Sequence, residues 1–296
     1  MWNRIISFFL SIIAFFAGLF GIDSLMEKKC YEYRDLSYGS YGERNLLDLN
    51  IPKENDGEIG LVLFIHGGGW IGGDKSIYEA GIEAASEKYG FAAAAINYRY
   101  ISEDVDMYDV LDDIEAALAL IKEKGKENGV DINKVLLTGG SAGGHLSLLY
   151  AYSRAESAPI KPVAVISDSG PTDLTDERYY TESILGDAEV ISELFSWACG
   201  KKYSYADRAS VKSELEGVSP LFYVNENTVP TVINHGMKDS VVPYSNAVSL
   251  DAKLTESGVT HYFNSYPNSD HDLGSDKSNK RLADTLFLEY CNTYLN

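Results

Sequence analysis

The chain has 296 residues, 45% hydrophobic and 12% aromatic, enough for one large α/β domain or two small ones and too apolar for a disordered chain. Its formal charge of −19 argues against nucleic acid as a partner. Cys30, Cys199 and Cys291 are scattered, with no Cys-x-x-Cys pair, so neither a zinc site nor a disulfide framework is expected.

Residues 5–22 form an eighteen-residue run without a charge, preceded by Arg4. That is long for the core of a signal peptide and just long enough to span a bilayer. The first expectation is an uncleaved anchor, the second a cleaved signal, the third an apolar helix packed on the domain. Residues 1–28 are therefore set apart from a folded domain over 29–296. With Arg4 inside, the domain lies outside the cell or on its outer surface.

Two strands are expected at Tyr31–Leu36 and Leu46–Ile51, joined by a turn-rich stretch. In the second, Leu47, Leu49 and Ile51 alternate with polar residues. Leu61–Ile65 is a continuous apolar run, the mark of a central strand covered on both faces, and it ends in His66-Gly67-Gly68-Gly69-Trp70. A helix is expected over 76–88, a buried strand over 91–96, and an amphipathic helix over 108–124. Another apolar strand, Lys134–Leu137, leads into Thr138-Gly139-Gly140-Ser141-Ala142-Gly143-Gly144 and a helix-forming run. A further strand, 162–166, follows.

From 172 to 228 the pattern breaks into a stretch rich in Tyr and charge, read as a helical cap insertion. A strand at 230–234, a helix at 244–257, a strand at 261–266 and a helix at 279–294 complete the chain. Strands alternating with helices specify a doubly wound, mostly parallel sheet, opened here by an antiparallel hairpin. Ligands in such sheets bind beyond the carboxyl ends of the strands, where four loops of interest converge.

A Gly-x-Ser-x-Gly between a strand and a helix is a nucleophile elbow, which nominates Ser141. A serine hydroxyl needs a histidine to take its proton and an acid to orient that histidine. Of five histidines, His145 sits on the elbow helix and reads as packing, while His66 and His235 precede glycines where a ring props a loop. His261 opens a strand. His271, in a polar loop between the last strand and last helix, can reach over the sheet edge and is the expected base. Asp239 follows a strand and precedes that histidine, giving the order Ser…Asp…His. Asp168, Asp270 and Asp272 are weaker rivals. Backbone N–H groups of Gly68, Gly69 and Ala142 are the expected oxyanion donors.

The stretches His66–Lys75, Gly139–His145 and Asp239–Pro243 resemble the α/β-hydrolase superfamily. Within it they are most similar to the His-Gly-Gly-Gly-Trp esterase branch related to bifunctional feruloyl and acetyl xylan esterases. The resemblance spans roughly residues 46–291. It implies hydrolysis of a small-molecule or carbohydrate ester through an acyl-enzyme, with no cofactor and no metal. It also implies substrate binding at Trp70, where lipase relatives place Phe or Tyr. An amidase or peptidase of the same fold is the alternative within enzymes. A non-catalytic binding protein is the alternative outside them, although such proteins usually lose the serine or histidine.

Overall fold

The computed structural model describes residues 29–183 and 187–296. The apolar run at 5–22 lies outside the described residues. Among those described, no helix is long and apolar enough to cross a membrane.

In chain order the elements are β1 (Cys30–Ser37), β2 (Leu46–Pro52), β3 (Leu61–Ile65), α1 (Glu79–Glu83), β4 (Ala92–Ile96), α2 (Met107–Glu127), β5 (Lys134–Gly140) and α3 (Ala142–Ser153). They continue as β6 (Lys161–Asp168), α4 (Arg178–Thr181), α5 (Ala188–Cys199), α6 (Lys212–Gly217), β7 (Thr231–Gly236), α7 (Ser245–Glu256), β8 (His261–Tyr266) and α8 (Lys277–Tyr294). The strands form one eight-stranded sheet in the order β1-β2-β4-β3-β5-β6-β7-β8. The β1–β2 and β2–β4 pairs are antiparallel, and every later pair is parallel. This is the α/β-hydrolase fold.

The two-residue repeat of a strand splits its side chains between two cores. In β3, Leu61, Leu63 and Ile65 enter one core with residues of α2, α3 and α7, while Val62 and Phe64 enter the other with Ile82, Leu286 and Tyr290. A strand covered on both sides has no polar face, which is why Leu61–Ile65 reads as an unbroken apolar run. Helix α2 begins at a capping box, in which the Asp106 carboxylate accepts from the N–H of Tyr108 and Asp109 and the Asp109 carboxylate accepts from Asp106 N–H. The regular helix expected over 76–88 is instead a 3₁₀ turn, α1 and a π turn in succession. Within it the Ser86 hydroxyl donates back to Ile82 O and accepts from the Asn50 amide, which bends the segment toward β2.

The glycine loop after β3 is tied down by buried charge. Lys75 Nζ lies 2.8 Å from both Asp48 carboxylate oxygens and 2.8 Å from Asp35 Oδ1. A bulge in β1 between Tyr33 and Leu36, with Asp35 at φ 52°, turns that residue toward the lysine. Asp74 caps the same segment at Ser76 N–H and accepts from the Asn97 amide. Removing one partner of a buried pair strands the other charge. Lys75→Met should therefore lower stability by about 3–5 kcal/mol in urea unfolding, and adding Asp48→Leu should recover most of that loss.

Candidate active site

Strand β5 ends where α3 begins, and Ser141 occupies the turn between them with φ 55° and ψ −122°. That backbone region is costly for a residue with a side chain. The turn persists because the residues two positions to either side, Gly139 and Gly143, have none. A Cβ on Gly143 would lie 1.9 Å from Ile65 O, and one on Gly139 would lie 2.3 Å from the same oxygen. The N–H of Ser141 donates to Asp168 O at 2.7 Å, and the N–H of Gly140 donates to the Tyr78 hydroxyl at 3.2 Å. These bonds fix the serine at the helix N-terminus, where free N–H groups and the helix dipole favour negative charge.

The loops after β7 and β8 meet beside it. His271 Nδ1 donates to Asp239 Oδ2 at 2.8 Å. The other oxygen, Oδ1, accepts from the N–H groups of Val241 and Val242, each at 2.9 Å. Burial by itself would raise the pKa of Asp239, but hydrogen bonds from His235 and His271 outweigh it and hold the carboxyl well below the usual range. The rival acids are engaged elsewhere. Asp270 accepts from the Ser240 N–H and hydroxyl, Asp272 from Gly274 N–H, and Asp168 from the Asn234 amide. Burial pushes the pKa of Asp168 up.

Ser141 lies between two cavities. One, of about 410 Å³, has Gly68, Gly69, Trp70, Ser141 and Ala142 on one wall. The opposite wall comes from the cap: Tyr179, Ile191, Leu194, Phe195 and Trp197. The second cavity, of about 350 Å³, is lined by Ser141, His271, Asp168, Tyr266 and Lys280. Among the described residues, no cluster of His, Cys, Asp and Glu could hold a metal ion.

Two features go beyond what the sequence suggests. The cavity-facing side of the cap is a mixture, with aliphatic Val190, Ile191 and Leu194 beside the aromatics. Tyr180, Tyr203 and Tyr205 are not on that wall and pack on one another, with the Tyr180 and Tyr203 hydroxyls 2.7 Å apart. Trp70 lines the cavity but is only 3% exposed, and its indole N–H donates to His145 Nδ1 at 3.2 Å. His145 Nε2 in turn donates to Val218 O at 2.8 Å, so a packing histidine bridges the glycine loop and the end of the cap. Sequence reasoning assigned His235 no role at the site; the His-Gly-x-x-Asp spacing was the available signal.

The chain matches the BD-FAE family model over residues 47–254. It belongs to the BD-FAE family. Among its relatives, esterase LipQ of Mycobacterium tuberculosis is 27% identical over 85% of this chain and 60% of its own length. The probable carboxylic ester hydrolase LipM of the same organism is 29% identical over 72% of this chain and 49% of its own. This BD-FAE member thus spans between about half and three fifths of those relatives. A solved structure described as a truncated carbohydrate esterase from gut microbiota superposes with TM-score 0.70 at 22% identity, covering 89% of this chain and 96% of that one. At that identity the likeness speaks for the fold.

His145 makes a testable electrostatic prediction. Burial lowers its pKa from 6.5 to about 4. The unfolded chain therefore binds a proton that the folded one refuses across this window, so the contribution falls as pH drops from 6.5 toward 4. Wild type should lose about 3 kcal/mol more than His145→Gln over that range, read as urea midpoints at a series of pH values.

Proposed function

We propose that the protein is a serine carboxylesterase acting through an acyl-enzyme, with Ser141 as nucleophile, His271 as base and Asp239 as the acid that orients it. The observation that carries this reading is the 2.8 Å bond from His271 Nδ1 to the buried carboxylate of Asp239, with His271 lining one cavity together with the strained Ser141. An imidazole that donates from Nδ1 to a carboxylate presents Nε2 as its free acceptor. In the first step the Ser141 hydroxyl proton passes to Nε2 as Oγ attacks the ester carbonyl. The N–H groups of Gly68, Gly69 and Ala142 receive the resulting oxyanion, each such donor being worth about 3 kcal/mol of barrier. The protonated His271 then gives its proton to the departing alcohol, and water repeats the sequence on the acyl-enzyme.

The substrate class follows from the cavity between the glycine loop and the cap. Its volume of about 410 Å³ and mixed aromatic and aliphatic wall suit a short acyl or an aryl acyl group. Esters of acetyl or feruloyl type on carbohydrate fit this description, with Trp70 as part of the wall. Esterase LipQ and the probable carboxylic ester hydrolase LipM, the relatives named above, support the same reaction class. The apolar run at 5–22 supports export or anchoring with the catalytic domain outside. It also supports residues 29–296 as an independent unit carrying the cap at 172–228.

Ser141→Ala should reduce ester turnover by roughly 10⁴ to 10⁶-fold while the protein stays folded, and an organophosphonate should label Ser141 alone. Label found on another serine would overturn the nucleophile. Across p-nitrophenyl esters from two to sixteen carbons, kcat/KM should peak at two to four carbons. A maximum at ten or more, with activation at an oil interface, would make the cap a lipase lid. A chain beginning at Lys29 should be soluble and as active as the full chain, which in turn should sediment with membranes if the run anchors it.

A further inference from the structure

The proposed chemistry uses one imidazole on Asp239, yet the carboxylate carries two. His235, near the end of β7, is fully buried, and its Nε2 lies 3.2 Å from Asp239 Oδ2 and 3.1 Å from Val242 O. Both neighbours are acceptors, so Nε2 bears the hydrogen and shares it between them. Among the described residues, the buried Nδ1 has no partner, and a proton placed there would face no acceptor, which suits the neutral tautomer.

Oδ2 of Asp239 therefore receives His271 at 2.8 Å and faces the Nε2–H of His235 at 3.2 Å, while Oδ1 receives Val241 and Val242. Three hydrogen bonds and the nearby His235 N–H thus surround a carboxylate whose side chain has no exposure to water. Gly236, the residue after His235, makes the arrangement possible from the other side. A Cβ there would lie 2.4 Å from Asp270 O, so glycine lets the loop carrying His271 close onto β7. The His-Gly pair thus supplies a donor for the acid and room for the base.

We infer that His235 is a positioning residue for the proposed reaction: it locks Asp239 in the rotation that presents Oδ2 to His271 and draws electron density from that oxygen. This rests on the assignment of Ser141, Asp239 and His271 made above. Without His235, Oδ2 keeps one donor, the carboxylate can turn about its Cβ–Cγ bond, and the Val242 carbonyl loses its partner. Oδ2 also becomes more basic, which holds the proton on His271 more tightly. The titratable groups facing Asp239 are His235, His271, Tyr179 and Asp270, and Tyr244 packs edge-on against His235.

The test is steady-state kinetics of the full chain on p-nitrophenyl acetate across pH. His235→Phe keeps a ring without an N–H, and His235→Asn keeps polarity with an amide one bond too short. His235→Gln places an amide nitrogen as many bonds from Cβ as Nε2. Phe and Asn should lower kcat roughly 10 to 100-fold with KM within about twofold, the loss of one hydrogen bond to a charged group. They should also move the acid limb of kcat/KM to higher pH, and Gln should restore most of kcat. In the Asp239→Asn background, His235→Asn should cost nothing further, because it acts through the missing carboxylate. Additive losses, or wild-type kcat and pH profile in Phe and Asn, overturn the role of His235 alone. Undiminished activity in Asp239→Asn overturns the assignment of the acid instead. If Phe does not fold, the contrast between Asn and Gln decides, and equal activity in those two overturns the inference.

Discussion

Above the carboxyl edge of the sheet, the molecule depends on how closely α3 can start over β3. The carbonyl oxygen of Ile65 occupies the space that a Cβ on Gly139 or Gly143 would need. Only a chain bare at both positions can turn from β5 into α3 there, and Ser141, midway between them, takes the positive φ of that turn. Because β3 and β5 are adjacent and parallel, with Ile65 paired to Gly139, the glycine loop leaving β3 emerges beside the serine. The positions of the glycine loop and of Ser141, the proposed oxyanion wall and nucleophile, are therefore set by one contact between two strands.

The same adjacency logic brings in the remaining groups. Strands β6, β7 and β8 follow β5 in order across the sheet, all parallel, so their C-terminal loops stand in a row. Asp168 ends β6, Asp239 follows β7 and His271 follows β8. Hydrogen bonding then separates them. Asp239 is saturated with donors and held ionised, whereas Asp168 accepts from Asn234 and is pushed toward its neutral form by burial. Two carboxylates at one sheet edge acquire different characters from their partners.

The strands and most helices were legible because their signals are local: unbroken apolar runs for strands covered on both faces, and helical spacing for α2. The order of serine, acid and histidine could nominate groups, but it carries no distances. The reach of His235 to Asp239 was not legible, since four residues in a turn do not fix which way two side chains point. Nor could the cap be read in detail. Its turns are short and its tyrosines have no period, so only the fold separates Tyr179, which lines the cavity, from Tyr180, Tyr203 and Tyr205, which pack on one another. The irregular helix after the glycine loop escaped for another reason: the bend comes from Ser86 bonding to a strand residue 36 positions away.

The two ends of the cap are bonded to the core and to each other. The amide oxygen of Asn246, buried in α7, accepts from Thr172 N–H at 2.8 Å, Asp173 N–H at 2.9 Å and the Tyr179 hydroxyl at 3.1 Å. At the other end, Leu221 N–H returns to Thr172 O, and the Ser219 hydroxyl accepts from Leu174 N–H. Entry and exit of the insertion are thus stitched at one point, like the neck of a purse. What lies between is anchored too, since Tyr179, Ile191, Phe195 and Leu215 sink into the same apolar cluster as Leu63 and Ile65, so a change in the wall opposite Ser141 is also a change in the packing under the sheet.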